Sequence, residues 1–214
     1  MRIDLDHGVV ATLHQRVSVG TLRRSVCVYC GSRPGTLPAF ADAARAVGGE
    51  IGRLGWQLVY GGGRAGLMGV VADAALAAGA SVVGVIPQSL MQRELGHSGL
   101  TELHVVQSMH ARKLMMAQRS DAFLALPGGI GTFEELFEVW SWRQLGYHDK
   151  PLGLLNVAGY YDAFTTLMNQ AEVAGFVTVE QKALLQVDTD AHRMLDTLGR
   201  LMPLASAEDD YRKI

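Results

Sequence analysis

Two glutamates, Glu134 and Glu135, follow the run Leu126-Pro127-Gly128-Gly129-Ile130-Gly131-Thr132-Phe133. A carboxylate can orient or deprotonate water and stabilise a developing positive charge. The glycines ahead of the pair let the backbone turn tightly and come close to something bulky. Residues 122–126 before them are apolar and short, as in a buried strand, while Leu136, Phe137, Val139, Trp140 and Leu145 recur at helical spacing. The stretch is therefore a strand–glycine turn–helix junction. The first turn of such a helix offers unpaired N–H groups and the positive end of a dipole, which together hold a phosphate. An anion cradle beside carboxylates points to chemistry close to a bound phosphate ester. A plainer reading uses the same residues: Thr132-x-x-Glu135 fits a capping box, and acids in a first helical turn are favourable without any function.

A second group lies upstream in Met109-His110-Ala111-Arg112-Lys113, which opens another helix. The cations could be a solvated face. His110 has no ligand partner at metal spacing, so no metal site is expected. No G-x-S-x-G elbow supports a hydrolytic triad. Lys113 as a Schiff-base lysine would suit a pyridoxal enzyme, but nothing else in the chain suggests that cofactor. The turn Gly61-Gly62-Gly63-Arg64-Ala65-Gly66 opens a helix as a dinucleotide turn would. Yet no acidic residue ends the following strand, and the Lys-Ser or Lys-Thr of a P-loop is missing. Gly66 and Gly69 read as close helix–sheet packing; Gly62 and Gly63 are expected to approach a ligand. Cys27 and Cys30 fall inside a β-type run rather than at a helix start, so they read as ordinary strand cysteines, not a redox pair.

The elements that must position these residues alternate. Strands are expected at 25–30, 58–60, 81–86, 103–106, 122–126, 151–155 and 184–187. Helices are expected at 38–54, from about 66 to 78, and at 109–119, 132–145, 160–174 and 191–201. Phe40, Ala43, Ala44, Val47 and Ile51 form the apolar stripe of the first helix. Apolar strands alternating with helices imply an α/β fold, an open, doubly wound parallel sheet covered on both faces. The glycine-rich turns each follow a strand, so they gather at the carboxyl edge of the sheet, where such folds bind ligands. Residues 1–24 lack periodicity and read as an extension to a single domain spanning 25–204; a polar loop at 88–100 is long enough to be a mobile flap, and the polar tail 205–214 is expected to fray.

With 214 residues, 49% hydrophobic and 19% charged, the chain can build one full core. A formal net charge of −2 gives no electrostatic reason to expect nucleic acid or a membrane surface as partner. No apolar run reaches transmembrane length, the N-terminus lacks a signal-peptide pattern, and two cysteines do not indicate a disulfide framework. A cytoplasmic location is the resulting expectation.

Taken jointly, Gly61-Gly62-Gly63-x-x-Gly66-Leu67-Met68-Gly69, Met109-His110-x-Arg112-Lys113 and Pro127-Gly128-Gly129-x-Gly131-Thr132-x-x-Glu135 closely resemble the LONELY GUY (LOG) family. These are cytokinin riboside 5′-monophosphate phosphoribohydrolases, often labelled lysine decarboxylases. The resemblance covers about residues 25–190. It implies a Rossmann-like domain, usually a homodimer, that needs no cofactor. It also implies hydrolysis of the N-glycosidic bond of an N6-modified adenosine 5′-monophosphate, giving free base and ribose 5-phosphate. By motif, Arg112 and Glu135 match the catalytic pair, and Gly129, Gly131 and Thr132 the phosphate-binding turn, with Gly128 a further substrate-binding candidate. Met109, Lys113 and Glu134 fall within the matched substrate-binding motifs, and Ser32 and Gly62 match further nucleotide contacts. Alternatives remain open at this point: a general AMP or purine-nucleotide hydrolase, and a carrier of a nucleotide or phosphorylated cofactor without turnover.

Overall fold

Apolar segments too short for helices become strands: β1 (Ser25–Tyr29), β2 (Gln57–Tyr60), β3 (Ser81–Pro87), β4 (Glu102–Val106), β5 (Ala122–Ala125), β6 (Leu152–Leu155) and β7 (Leu185–Asp188). In this computed structural model, residues 23–91, 96–202 and 209–211 are described. All but residues 23–24 of the extension expected at 1–24, residues 92–95 of the expected flap and most of the tail lie outside them. The helices are α1 (Pro38–Arg53), α2 (Gly66–Ala77), α3 (Met109–Gln118), α4 (Ile130–Gln144), α5 (Asp162–Val173), α6 (Val179–Ala183) and α7 (Ala191–Leu201). The short α6 has no apolar periodicity to announce it; Thr178 and Gln181 form the capping box that starts it.

The strands form one parallel sheet in the order β4-β3-β2-β1-β5-β6-β7. The chain runs outward from β1 to β4, then returns to pair β5 on the other side of β1. Between β1 and β5 the order reverses, and at such a switch point a crevice opens beyond the carboxyl ends. Ser25 and Asp121 lock this central pairing: the Ser25 backbone N–H and hydroxyl both donate to the Asp121 carboxylate, at 2.7 and 2.8 Å.

Alternation along each strand builds two cores. Val26 and Val28 face one side with α1, α2 and α7, burying Ile51, Val71 and Leu195. Cys27 and Tyr29 face the other with α3, α4 and α5, burying Met116, Leu136 and Tyr161. On the first face α1 and α2 meet backbone to backbone: a Cβ at Gly48 would stand 2.4 Å from the Val71 carbonyl oxygen. That contact outweighs the helix-propensity cost of glycine.

The described parts of the 88–100 loop, residues 88–91 and 96–100, are tied to the rest of the molecule. Residues Gln88–Leu90 form a 3-10 turn. Gly96 pairs with Gly63, and the His97 N–H donates to the Gly62 carbonyl at 2.9 Å. Within the expected tail only residues 209–211 are described, and these are packed. Tyr211 is buried against Trp142 and His148, and the Asp210 N–H donates to the Tyr147 carbonyl. Among the described residues no helix is long and apolar enough to cross a membrane.

Candidate active site

The crevice at the β1/β5 switch point is a cavity of about 580 Å³, within the usual range for small-ligand sites. Its floor is Val28, Tyr29 and Cys30; its walls come from the turns after β1 and β5 and the starts of α3 and α4. The two turns are tied together: the Leu126 N–H donates to the Tyr29 carbonyl at 2.9 Å, and the Gly31 N–H to the Pro127 carbonyl at 3.1 Å.

Ser32, Met109, Arg112, Gly128, Gly129, Gly131, Thr132, Glu134 and Glu135 all line this cavity. Helix α4 begins at Ile130, two residues earlier than its apolar pattern predicts, with Gly129 as N-cap and no side-chain cap. Thr132-x-x-Glu135 is therefore not a capping box, and Glu134 and Glu135 lie beyond the first turn. The first intrahelical bond runs from the Phe133 N–H to the Gly129 carbonyl at 3.1 Å. The N–H groups of residues 130–132 precede it, as at any uncapped helix start. The glycines here divide by cause. A Cβ at Gly128 would lie 2.1 Å from the Thr132 hydroxyl oxygen, whereas Cβ atoms at Gly129 and Gly131 would meet no protein atom within 4 Å. Protein packing demands the first glycine and leaves open space at the other two.

Arg112 is only 4% exposed. Its Nε donates to the Val85 carbonyl at 3.1 Å and its Nη2 to the Gly61 carbonyl at 2.8 Å. These bonds to the ends of β3 and β2 anchor the guanidinium at the carboxyl edge of the sheet. A Cβ at Gly61 would sit 2.0 Å from Arg112 Nη2, so Gly61 makes room for the arginine. Ser108 sets the start of α3, its hydroxyl accepting from the Ala111 N–H at 3.1 Å. The charges of Arg112 and Glu135 both reach Cys27, Arg112 favouring its thiolate and Glu135 opposing it; burial dominates and pushes that thiol far up, as it does Cys30. Both cysteines are free and buried, an inert pair rather than a redox one.

Gly62, Gly63 and Lys113 are not among the lining residues. Gly62 has φ 75° and packs against Ile86 and Leu103, while Gly63 pairs with Gly96. The glycine run thus serves the arginine and the 96–97 segment. Gly66 and Gly69 are explained by packing, against the Ser32–Arg33 backbone and the Arg64 carbonyl. Lys113 Nζ binds Glu134 at 2.6 Å and Glu138 at 2.7 Å, joining α3 to α4. Partial burial pushes its pKa down, but the hydrogen bonds and charges of the two glutamates outweigh this and hold it above the usual lysine value. A Schiff-base lysine needs the opposite shift. Trp140 and Arg143 are turned to the α6–β7 edge, donating to the Gln181 and Leu184 carbonyls.

Tyr160, Phe40 and Arg33 are among the lining residues that sequence reasoning did not assign to a site. Tyr160 opens the helix expected at 160–174, but that helix begins only at Asp162, and the Tyr160 hydroxyl reaches the cavity wall, donating to the Gly128 carbonyl. Phe40 was legible only as a member of the α1 core stripe; it and Arg33, in the turn after β1, line the cavity.

The model of the family described as "Possible lysine decarboxylase" matches residues 68–198. The cytokinin riboside 5′-monophosphate phosphoribohydrolase LOG of Oryza sativa subsp. japonica is 46% identical over 180 residues, which cover 84% of this chain and 74% of that protein. The phosphoribohydrolase LOG3 of Arabidopsis thaliana is 44% identical over 180 residues, covering 84% of each. Among solved structures, the molybdenum cofactor binding protein of Rippkaea orientalis superposes with a TM-score of 0.65 at 18% identity, over 86% of this chain and 99% of that one. The Moco carrier protein of Chlamydomonas reinhardtii gives 0.64 at 22%, over 85% and 99%. These two likenesses establish a shared Rossmann-like fold.

Proposed function

The chain belongs to the LOG family of cytokinin riboside 5′-monophosphate phosphoribohydrolases, and we propose that the β1/β5 cavity carries out its reaction with Arg112 and Glu135. The protein hydrolyses the N-glycosidic bond of N6-modified adenosine 5′-monophosphates, releasing the free cytokinin base and ribose 5-phosphate. The observation that carries the site assignment is the cavity itself. One space holds an uncapped helix start, a buried arginine and a glutamate.

The substrate's phosphate lies on the Gly128–Thr132 turn, against the N–H groups and positive dipole of α4. The open space at Gly129 and Gly131 lets it reach the backbone. This remote binding energy positions the ribose. Breaking the C1′–N9 bond builds positive charge on the sugar, as in other glycoside hydrolyses. Glu135, in the second turn of α4, stabilises that charge and orients or deprotonates the attacking water. Arg112 stays charged throughout and is no general acid. It holds Glu135 in place and adds positive charge beside the departing purine or the phosphate. Met109 and Ser32 complete the nucleotide's walls. Lys113 acts one step back, holding Glu134 and Glu138 while the start of α3 delivers Arg112. The catalytic unit spans residues 25–204. It works as a homodimer, to which the exposed apolar side chains of Phe137 in α4 and of Leu145, the residue that caps it, contribute.

The test is turnover. Purified protein is given N6-isopentenyladenosine 5′-monophosphate, the unphosphorylated riboside and AMP in parallel, and free base is quantified. Release from the modified monophosphate but not the riboside is the expected result. Equal release from AMP would keep the chemistry and remove N6 specificity. Tight nucleotide binding without release from any of them would replace the enzyme with a carrier.

A further inference from the structure

Two consecutive tyrosines reach from the β6–α5 connection to the turn after β5. The Tyr161 hydroxyl donates to the Leu126 carbonyl at 2.7 Å, and the Tyr160 hydroxyl donates to the Gly128 carbonyl. Between them the Pro127 carbonyl accepts from the Gly31 N–H. Carbonyls 126, 127 and 128 are thus each bonded to a donor from a distant part of the chain.

Peptide geometry gives this arrangement a consequence. A trans peptide holds its N–H on the side opposite its C=O. Fixing the Pro127 and Gly128 carbonyls on Gly31 and Tyr160 therefore fixes where the N–H groups of Gly128 and Gly129 point. Glycine has the widest conformational choice of any residue. Without these bonds the Gly128–Gly129 peptides could turn a carbonyl lone pair toward an incoming anion.

The tyrosines are themselves held firmly. Asn156 Oδ1 accepts from the Tyr161 N–H at 2.7 Å, and its Nδ2 donates to Asp162 at 2.7 Å. Ala158 sits between these anchors at φ 51°, a left-handed conformation that costs a residue with a Cβ and persists only where its surroundings impose it. The Tyr160 ring meets Phe40 edge-on at 5.5 Å, and Tyr161 meets Phe133 of α4 at 5.9 Å.

We infer that Tyr160 is a positioning residue for anion binding, holding the Gly128–Gly129 peptide with its N–H presented to the substrate's phosphate, while Tyr161, bonded to the Leu126 carbonyl ahead of Pro127, steadies the entry to the turn. The inference rests on the assignment of this turn as the phosphate end of the site.

Tyr160→Phe removes one hydroxyl from a side chain that is partly exposed, and Tyr161→Phe is its buried counterpart. For wild type and both variants, the readouts are KM and kcat for N6-isopentenyladenosine 5′-monophosphate, inhibition constants for ribose 5-phosphate and for free N6-isopentenyladenine, and the thermal midpoint. In Tyr160→Phe, KM and the ribose 5-phosphate constant should rise together by about tenfold, as expected for one lost hydrogen bond. The free-base constant should stay put, and kcat should fall less than KM rises. A purely structural role would weaken base and sugar phosphate alike. An unchanged ribose 5-phosphate constant overturns the inference, and so does parallel weakening of both inhibitors. Should Tyr161→Phe fail to fold, Tyr160→Phe decides alone. Wild type that neither releases base nor binds ribose 5-phosphate would overturn the phosphate assignment and this inference with it, a result distinct from a wild type that binds and a variant that does not differ.

Discussion

Arg112 and Lys150 are both buried cations, 4% and 8% exposed, in settings that differ in kind. Arg112 sits at the carboxyl edge of the sheet, anchored by the Gly61 and Val85 carbonyls, and lines a cavity. Lys150 sits just ahead of β6. Its Nζ binds the Ala117 carbonyl at 2.9 Å, the Tyr211 hydroxyl at 3.2 Å and the Asp209 carboxylate at 2.6 Å, under the Tyr211 ring. The first cation borders space that a ligand can fill. The second is enclosed and covered by Asp209 and Tyr211, among the chain's last described residues. Burial of charge by itself therefore does not mark an active site; a buried charge at the border of a cavity is the informative case.

If the comparison holds, damage at Arg112 reads out in rate and damage around Lys150 in stability. The largest effect is expected at the cavity. Arg112→Ala and Glu135→Gln should each lower kcat/KM for the modified monophosphate by about 10³-fold. Arg112→Lys should not restore activity, since an ammonium cannot reproduce the forked contacts to two carbonyls. Single variants retaining more than a tenth of wild-type activity would break the assignment.

Next comes His148, which belongs to the Lys150 region. Its Nε2 donates to the Val139 carbonyl at 3.0 Å, and its Nδ1 accepts from the Lys150 N–H at 3.1 Å, so the neutral tautomer is specified. Burial, joined by the charges of Lys150 and Arg143, outweighs the Val139 bond and lowers its pKa from 6.5 to about 4. As pH falls below 6.5 the unfolded chain takes up a proton that the folded one refuses. Its stabilisation is thus full above 6.5, is lost between 6.5 and 4, and amounts to about 3 kcal/mol. Urea unfolding at pH 7 and 5 should show the slope, and His148→Gln should flatten it. The same slope in the variant would assign the acid sensitivity elsewhere.

The smallest effect is Lys150→Met, expected to cost about 2 kcal/mol, because the Ala117 carbonyl and Tyr211 hydroxyl lose a partner while the partly exposed Asp209 regains water. Activity per folded molecule should stay within about twofold. A fall in kcat as steep as the fall in stability would mean the two regions are coupled and the division drawn between them is wrong.

What the sequence made legible follows how local each feature is. Strand–helix alternation and the gathering of glycine turns at one edge were readable because each depends on neighbours a few residues away. So were Gly128–Thr132 and Arg112, as motifs at element starts. The start of α4 was misplaced because glycines conceal helix in a propensity reading, though Gly129 caps it and Gly131 lies inside. Gly62 and Gly63 looked like ligand glycines, yet their neighbours are Ile86, Leu103 and Gly96, none of them local. Tyr160 reaches Gly128 across 32 residues, and Lys150 reaches Tyr211 across 61. No periodicity carries such pairings.

The central pairing of β1 with β5 also governs when the cavity can exist. Ser25 and Asp121 are 96 positions apart. β1 pairs β2 on one edge and β5 on the other, and the β5 pairing is the one distant in sequence. Contacts this distant in sequence close late because loop closure precedes their reward. The Gly31 turn therefore meets the Gly128 turn only after more than half the chain has been made. The cavity cannot form before β5 is in place, and a chain not yet made that far would expose its central strand to mispairing before it could bind a nucleotide.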